Sequence, residues 1–541
     1  MKKLLASALW AFSFLPPVQA ADAHKEASHS HPVPKLIIGI SVDQLRTDYL
    51  LSLQSRMSEG GFNRLLNGGR VYEQVTFDIN NPDATTALAI LATGSYPFSN
   101  GITASRVFNP ATLHEQDIFS DAKYIGNFTE DNYSPAALLS TTLSDELKTA
   151  TNGVARIFSI APNASAAIIG AGHTANCALW IDDKTGKWAS STFYRDFPHY
   201  ITRYNKNDAP HNGLELLHWQ PSFDTENSKD NKLEILPYHY STSNYFDHQF
   251  LYFRQPSIPM FKTSGLVNEA VTKLCKVFVN NGGLGRSIST DMLQVTYYAG
   301  TYEGERPEIY ASELQDTYLR LDKTLAELLD AVDATVGLEH TFIYLTSTGD
   351  TNPRKTNVEG LAAGEFNANR CTALLNSYLM SVYGPGSWVN GWNNNQIYLN
   401  HKVIEDKQLR LREVQQTASE FVTLFSGVQE VVTAHQMLHE DSSARVQKMR
   451  NGYHKQTSGD LYVILQTGWS LKLNDTAQTQ SQTRHDVAPG PAIFFAPGNI
   501  KSERITTPID ATSIAPTVAR IIRIRAPSAC TTAPLLVNTT R

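Results

Sequence analysis

Residues 35–43 read KLIIGISVD. A short, nearly continuous apolar run of this kind is what a strand buried on both faces of a parallel sheet presents. It ends in Asp43, and open α/β sheets build their sites at the carboxyl ends of their strands. The same texture recurs at Arg156–Ile160, Ala166–Ile169, His340–Thr346, Leu461–Leu465 and Ala492–Ala496, each read as a further strand. Helical patterns fall between them. Asp316–Val336 sets Leu319, Leu325, Leu328, Leu329 and Val332 along one face. A shorter apolar helix is expected from Ala84 to Ala92, with Asp83 as its N-cap behind Pro82. Strands alternating with helices imply a layered α/β domain around a mostly parallel central sheet flanked by helices.

The rest of the chain sets the class. It has 541 residues, 41% hydrophobic and 10% aromatic against 18% charged, which excludes a disordered chain. The formal net charge is −6 and no basic block occurs, so a nucleic-acid partner is not expected. Residues 1–20 read as a signal peptide: Lys2 and Lys3 start it, Leu4–Leu15 is apolar, and Val18-Gln19-Ala20 supplies the cleavage site. No Cys follows that run, and no later segment is long and apolar enough to span a bilayer. A periplasmic or secreted protein without a transmembrane segment in its mature chain is expected. Residues 21–34, with His24, His29 and His31, read as a flexible spacer.

The α/β domain then runs over 35–541, with a cap inserted at 183–261, where Tyr, Asn, His, Trp and Pro displace clear periodicity. In the cap, Tyr238, Tyr240, Tyr245, Phe246, Tyr252 and Phe253 serve either as its core or as an exposed surface for a partner or glycan. Asn474–Arg484 is a Gln/Thr-rich polar loop. Cys177, Cys275, Cys371 and Cys530 stand too far apart for a zinc knuckle or redox pair. Disulfides in an oxidising compartment and buried free thiols both fit them.

Several stretches follow one another in a telling order. Val42-Asp43-Gln44 precedes Gly60-Gly61-Phe62 with Arg64-Leu65-Leu66, then Thr93-Gly94, Pro97 and Gly101-Ile102. Ala171-Gly172-His173, Asp316–Asp322 (DTYLRLD), Tyr344-Leu345-Thr346 and Ile514-Ala515-Pro516-Thr517 continue the series. Together they resemble the alkaline phosphatase superfamily, in its type I phosphodiesterase/nucleotide pyrophosphatase branch with the bacterial phosphate-irrepressible alkaline phosphatases. The resemblance implies an alkaline-phosphatase-like fold and two-metal phosphoryl transfer. Two zinc ions, held by about six Asp and His ligands, clamp the phosphoryl oxygens. A Thr or Ser nucleophile stands at a helix N-terminus, whose amides hold the phosphate.

The same resemblance says where those residues should stand, and most are missing. Asp43 is the only metal ligand retained. The nucleophile is expected nine residues before Thr93, at Ala84, which has no oxygen. Thr85 and Thr86 are the fallback candidates, each turned by about 100° per step around the helix. Asp83 adds negative charge where a phosphate should sit. The family's "D-Y-x-G-H" ligand pair reads Tyr297 and Thr301, and its adjacent Asp-His pair reads Thr348 and Gly349, with Asp350 one step beyond. The Gln/Thr loop offers no histidine for the last ligand. The phosphate-holding Asn position reads Ser105, and no Lys or Arg occurs between Arg156 and Lys184.

The expectation is therefore a degenerate family member, a pseudoenzyme without catalytic residues or a cofactor. It would bind an unknown envelope partner or small ligand. The alternative is an active metal-dependent phosphomonoester or phosphodiester hydrolase holding zinc in a rebuilt site. That site would draw on Asp43, Asp350, His173, Glu303, Glu305 and His485, with Thr85 or Thr86 as nucleophile. Serine-hydrolase elbows, P-loops and dinucleotide fingerprints do not occur.

Overall fold

The structure, a computed structural model, describes residues 33–537 apart from 81, 196, 224–244, 254, 306, 351–363, 440–442, 474–480 and 483–487. The expected signal peptide and nearly all of the spacer lie outside the described residues, as do Tyr238, Tyr240 and His485.

The central sheet is formed by β1 (Leu36–Asp43), β2 (Arg70–Thr76), β3 (Ile157–Ala161), β4 (Cys177–Ile181), β5 (Trp188–Ser191), β6 (Asp291–Tyr298), β7 (Thr341–Ser347), β8 (Gly490–Phe495) and β9 (Glu503–Ile505). They run in the order β9-β2-β8-β7-β1-β6-β3-β4-β5, with Gly126–Asn127 beside β5 and Ile509–Asp510 beside β2. β1 is parallel to both β6 and β7, and β6, β3 and β4 are parallel in turn. β8 enters antiparallel between β7 and β2. This is the mostly parallel α/β sheet expected from the sequence.

Among the helices that cover its two faces are α1 (Phe62–Gly68), α2 (Ala84–Thr93), α3 (Leu143–Ala150), α4 (Ala164–Ala171), α5 (Leu266–Asn281), α6 (Ala311–Thr335) and α7 (Ile514–Ile521). Alternation along β1 decides which helices meet which side chains. Leu36, Ile38, Ile40 and Val42 pack against α1, α5 and α6. Ile37 packs on the other face, in the core shared by α2, α3, α4 and α7. Gly39, Ser41 and Asp43 follow it on that second face, in register with Gln294, Thr296 and Tyr298 of β6. The second face of β1 thus turns polar toward its carboxyl end.

The motifs between the strands have packing reasons. Asp322 of α6 accepts the amides of Ser58 and Phe62, each at 2.7 Å, which ties the long helix to the turn entering α1. A Cβ on Gly61 would lie 2.1 Å from Asp322 Oδ1, so only glycine lets the carboxylate in. Gly94 closes α2 at φ 63°, and a Cβ there would lie 2.4 Å from Cys530 Sγ.

Three sequence expectations change. Ala166–Ile169 is helical, inside α4 rather than a strand. Its short apolar run carries no period that separates a buried strand from a buried helix. Leu461–Leu465 is a strand, but it lies outside the central sheet. It pairs antiparallel with Gln396–Leu399 and Val428–Thr433, and Val389–Asn393 completes this separate four-stranded sheet. That sheet shares its own core, including Phe366, Cys371, Leu375, Trp388 and Val463, a lobe that the sequence did not announce. The helix read from Asp316 starts earlier, at Ala311.

All four cysteines are free thiols, three buried and Cys530 half-buried. In the cap, Phe246 is buried against Trp219, their ring centroids 5.1 Å apart. Tyr245 and Phe253 are exposed.

Candidate functional site

The site expected from the sequence lies at the carboxyl end of β1. Asp43 is half-buried there, and its Oδ1 accepts the hydroxyl of Thr348 at 2.9 Å. The Gln44 amide donates to that same hydroxyl oxygen at 2.9 Å. Loss of solvent pushes the Asp43 carboxyl up to about 6, and the charges of Asp83 and Asp350 push the same way against the hydrogen bonds from Thr348 and Gln44. The charges of Asp83 and Asp350 are therefore felt at Asp43.

Asp350, 3% exposed, meets the guanidinium of Arg46, Nη1 to Oδ2 3.3 Å. Arg46 also grips Asp48, with Nε to Oδ1 2.9 Å, and lies over the Tyr49 ring at 4.0 Å from its centroid. Burial works against the arginine's charge, but the hydrogen bond to Asp48 and the charges around it outweigh that and raise its pKa. Between these groups remains a cleft of about 10 Å³, lined by Gln44, Arg46, Tyr49, Thr301, Leu314 and Asp350. That is room for about one water.

Of the other ligand positions, Thr301 lines this cleft and Thr348 bonds to Asp43, while Tyr297 and Gly349 make their contacts elsewhere. Tyr297 is in register with Val42, so its ring enters the first face of the sheet, where its hydroxyl and that of Thr272 lie 2.7 Å apart. The residue paired with Asp43 is Tyr298, whose hydroxyl donates to the Thr301 carbonyl at 2.6 Å. Gly349 has φ 68° and donates its amide to Ser347 Oγ at 2.9 Å.

At the start of α2, Ala84 is the first helical residue. Asp83 caps the helix, accepting the Thr86 amide at 2.8 Å through Oδ1 and the Ser105 amide at 2.6 Å through Oδ2. The fallback nucleophiles are both buried. Thr85 donates to Ser165 Oγ at 3.2 Å, while the Thr86 hydroxyl finds no partner among the described residues. Beneath α2, Ser41, Gln294, Thr296, Tyr344 and Thr346 line a second cavity of about 30 Å³, roofed by apolar side chains that include Leu88 and Leu91.

The other candidates for a rebuilt site are dispersed. His173 lies between α4 and β4, at the amino end of the parallel strands and so at the opposite end of the sheet from Asp43. Its Nδ1 faces Asp145 at 3.0 Å and its Nε2 the Leu138 carbonyl at 2.9 Å. Glu303, in a single 3-10 turn, and Glu305, just after it, are exposed. Among the described residues no group of three or more His, Cys, Asp or Glu could hold a metal ion. Among the described residues, the donors at the family positions do not fit the zinc pair implied by the fold: one carboxylate already bonded to a hydroxyl, a tyrosine turned away, two threonines and a glycine.

Sequence reasoning missed Arg46 and the polar row under α2. Ser41 inside an otherwise apolar strand, and an arginine two residues before Asp48, were the available signals.

The fold and the position of Asp43 define a class. The sequence profile of the type I phosphodiesterase / nucleotide pyrophosphatase family matches residues 37–491, and this chain belongs to that family, a branch of the alkaline phosphatase superfamily. A protein of Myroides odoratus named calcium-transporting ATPase is 30% identical over 518 residues, covering 93% of this chain and 94% of that protein. Alkaline phosphatase PhoV of Synechococcus elongatus is 28% identical over 507 residues, covering 92% and 91%. The crystal structure of wild-type alkaline phosphatase PafA superposes with a TM-score of 0.80 at 25% identity, covering 93% of this chain and 98% of that one. Among the described residues no helix is long and apolar enough to cross a membrane.

Proposed function

We propose that this chain keeps the superfamily fold but has lost two-metal phosphoryl transfer, and that it serves as an exported binding or envelope interaction protein. One observation carries the reading. At the helix start where the family places its nucleophile and phosphate, residue 84 is alanine, and the Asp83 carboxylate takes the Thr86 and Ser105 amides for itself. A phosphate arriving there meets a negative charge that already holds two of the local donors. The exposure of Tyr245 and Phe253 on the cap supports a binding role, while the burial of Phe246 assigns part of that aromatic run to the core.

The test is joint. The purified chain, taken from an envelope fraction and sequenced at its amino terminus, should start after Ala20, contain no stoichiometric zinc by mass spectrometry, and leave p-nitrophenyl phosphate and its diester unhydrolysed. Bound zinc together with turnover would overturn the reading.

A second reading is favoured by the relatives named alkaline phosphatase and by the charges of Asp83 and Asp350 felt at Asp43. It is an active, zinc-dependent phosphomonoester or phosphodiester hydrolase with a rebuilt site. Within the described residues, its donors would be these carboxylates alone. The same two measurements separate it from the first.

A further inference from the structure

The four-stranded sheet leads into a short helix that carries two histidines. Ala434–His439 follows Val428–Thr433 directly and has six residues, too few to persist without tertiary support. Both of its ends are pinned. Thr433 and Gln436 form a capping box, the Thr433 amide donating to Gln436 Oε1 at 2.8 Å and the Gln436 amide to Thr433 Oγ1 at 3.1 Å. At the other end Arg450 donates to the carbonyls of Met437 at 2.7 Å and Leu438 at 3.3 Å. Ala434 and Met437 enter a small core with Met449 and Tyr453. His435 and His439, four residues apart, share one side of this fixed helix. His435 is half-buried and His439 exposed, their ring centroids 4.8 Å apart and the ring planes at 46°. Neither ring has a hydrogen-bond partner among the described residues, whereas His173, His218 and His401 each face a carboxylate.

Two imidazoles so placed suit a divalent transition ion. An ion about 2.1 Å from one nitrogen of each ring lies about 3.2 Å from each ring centre, so rings that meet it near a right angle have centres about 4.5–5 Å apart. Imidazole favours nickel, copper and zinc over magnesium and calcium, which take oxygen ligands. No third His, Cys, Asp or Glu completes the group among the described residues, so water fills the other positions and the ion exchanges freely. We propose that His435 and His439 form an exchangeable site for a divalent transition ion, built from residues other than the family's ligand positions. It stands whether or not the chain retains phosphoryl transfer.

The full chain, stripped with chelator and dialysed, is titrated calorimetrically with nickel, zinc, magnesium and calcium, as wild type, His435→Gln and His439→Gln. Wild type is expected to take up one nickel ion per chain more than either variant, each variant losing about tenfold or more in affinity at this site. Zinc should follow nickel, and magnesium and calcium should show no difference between the chains. Any ion held by His24, His29 or His31 stays in all three, so only the difference is read. Carbethoxylation of His435 and His439, followed by peptide mass spectrometry, should slow when nickel is added to wild type. Equal nickel uptake by all three chains overturns the proposal, and so does loss in one folded variant alone, since the site needs both rings. If His435→Gln does not fold, His439→Gln, altered at an exposed position, carries the test together with the carbethoxylation. Both variants leave every family ligand position in place, so zinc bound with phosphatase turnover would overturn the metal-free reading without touching this site.

Discussion

Ala84 and Asp83 stand side by side and do different work. Giving residue 84 back its hydroxyl repairs one requirement out of several, because the ligand positions still read Tyr297, Thr301, Thr348 and Gly349. Ala84→Thr is accordingly expected to leave p-nitrophenyl phosphate untouched, and a rate above buffer in a zinc-supplemented assay would contradict this. Asp83 carries stability instead. Its two oxygens hold the Thr86 and Ser105 amides, so Asp83→Ala should cost about 1–2 kcal/mol in urea unfolding. Asp83→Asn keeps an acceptor for the Thr86 amide and should cost less. Both residues were legible in the sequence, since an Asp behind Pro82 and an alanine nine residues before Thr93 are matters of spacing. The direction of Tyr297 was not legible. Counting letters located the position, but only the pairing of Val42 with Tyr297 revealed which face of the sheet its ring enters.

Between α3 and α4 a single histidine joins two elements. Asp145, in the first turn of α3, accepts the amides of His173 and Thr174 and faces His173 Nδ1, while Nε2 faces the Leu138 carbonyl. Both ring nitrogens point at acceptors, so the clamp is complete when both carry protons. The hydrogen bond to Asp145 raises the histidine's pKa, with burial opposing. A raised folded value means that this stabilisation is fully present below the ordinary histidine pKa of about 6.5, and fades as pH rises through the folded value. Burial works against the Asp145 charge, but hydrogen bonds from His173, Thr142 and Thr174 outweigh it and lower its pKa, so its share is lost only on strong acidification.

Comparing wild type with His173→Gln in thermal melts should therefore show the largest gap near pH 5–6 and a smaller one near pH 9. A gap independent of pH would mean that the ring acts by packing alone. At this scale the sequence was informative where periodicity was long, as along α6, and failed where it was short. Ala166–Ile169 had no period by which to choose helix over strand, and Leu461–Leu465 looked like any buried strand although its partners belong to another sheet.

The whole molecule has a seam that neither the family motifs nor the hydrophobic runs disclosed. The lobe around the four-stranded sheet has its own core and meets the main sheet domain through the segment that follows α2. Phe108, in the hairpin formed by Arg106–Asn109 and His114–Asp117, lies 4.6 Å ring to ring from Tyr398, and a Cβ on Gly391 would approach its ring to 2.9 Å. Polar ties flank it: Asn393 Nδ2 to Glu115 at 2.7 Å, Thr103 to Thr457 at 3.1 Å, and Asn451 Nδ2 to the Asp78 carbonyl at 2.8 Å. A seam that rests, among the described residues, on the Phe108–Tyr398 ring pair and a few hydrogen bonds should open more readily than the sheet core, because local opening follows the interface with least apolar burial.

Truncation of Phe108 to alanine should cost about 3–5 kcal/mol if the gap stays open, less if the lobe settles inward. Hydrogen exchange tells where that loss falls. If the lobe is a unit of its own, Phe108→Ala should speed amide exchange in Val389–Asn393, Gln396–Leu399 and Leu461–Leu465 while β1 and β6 keep their protection. Equal acceleration in β1 would mean that lobe and sheet open together. In that case the carboxyl ends of β1 and β7, with Asp43 and Asp350, would be coupled to the lobe.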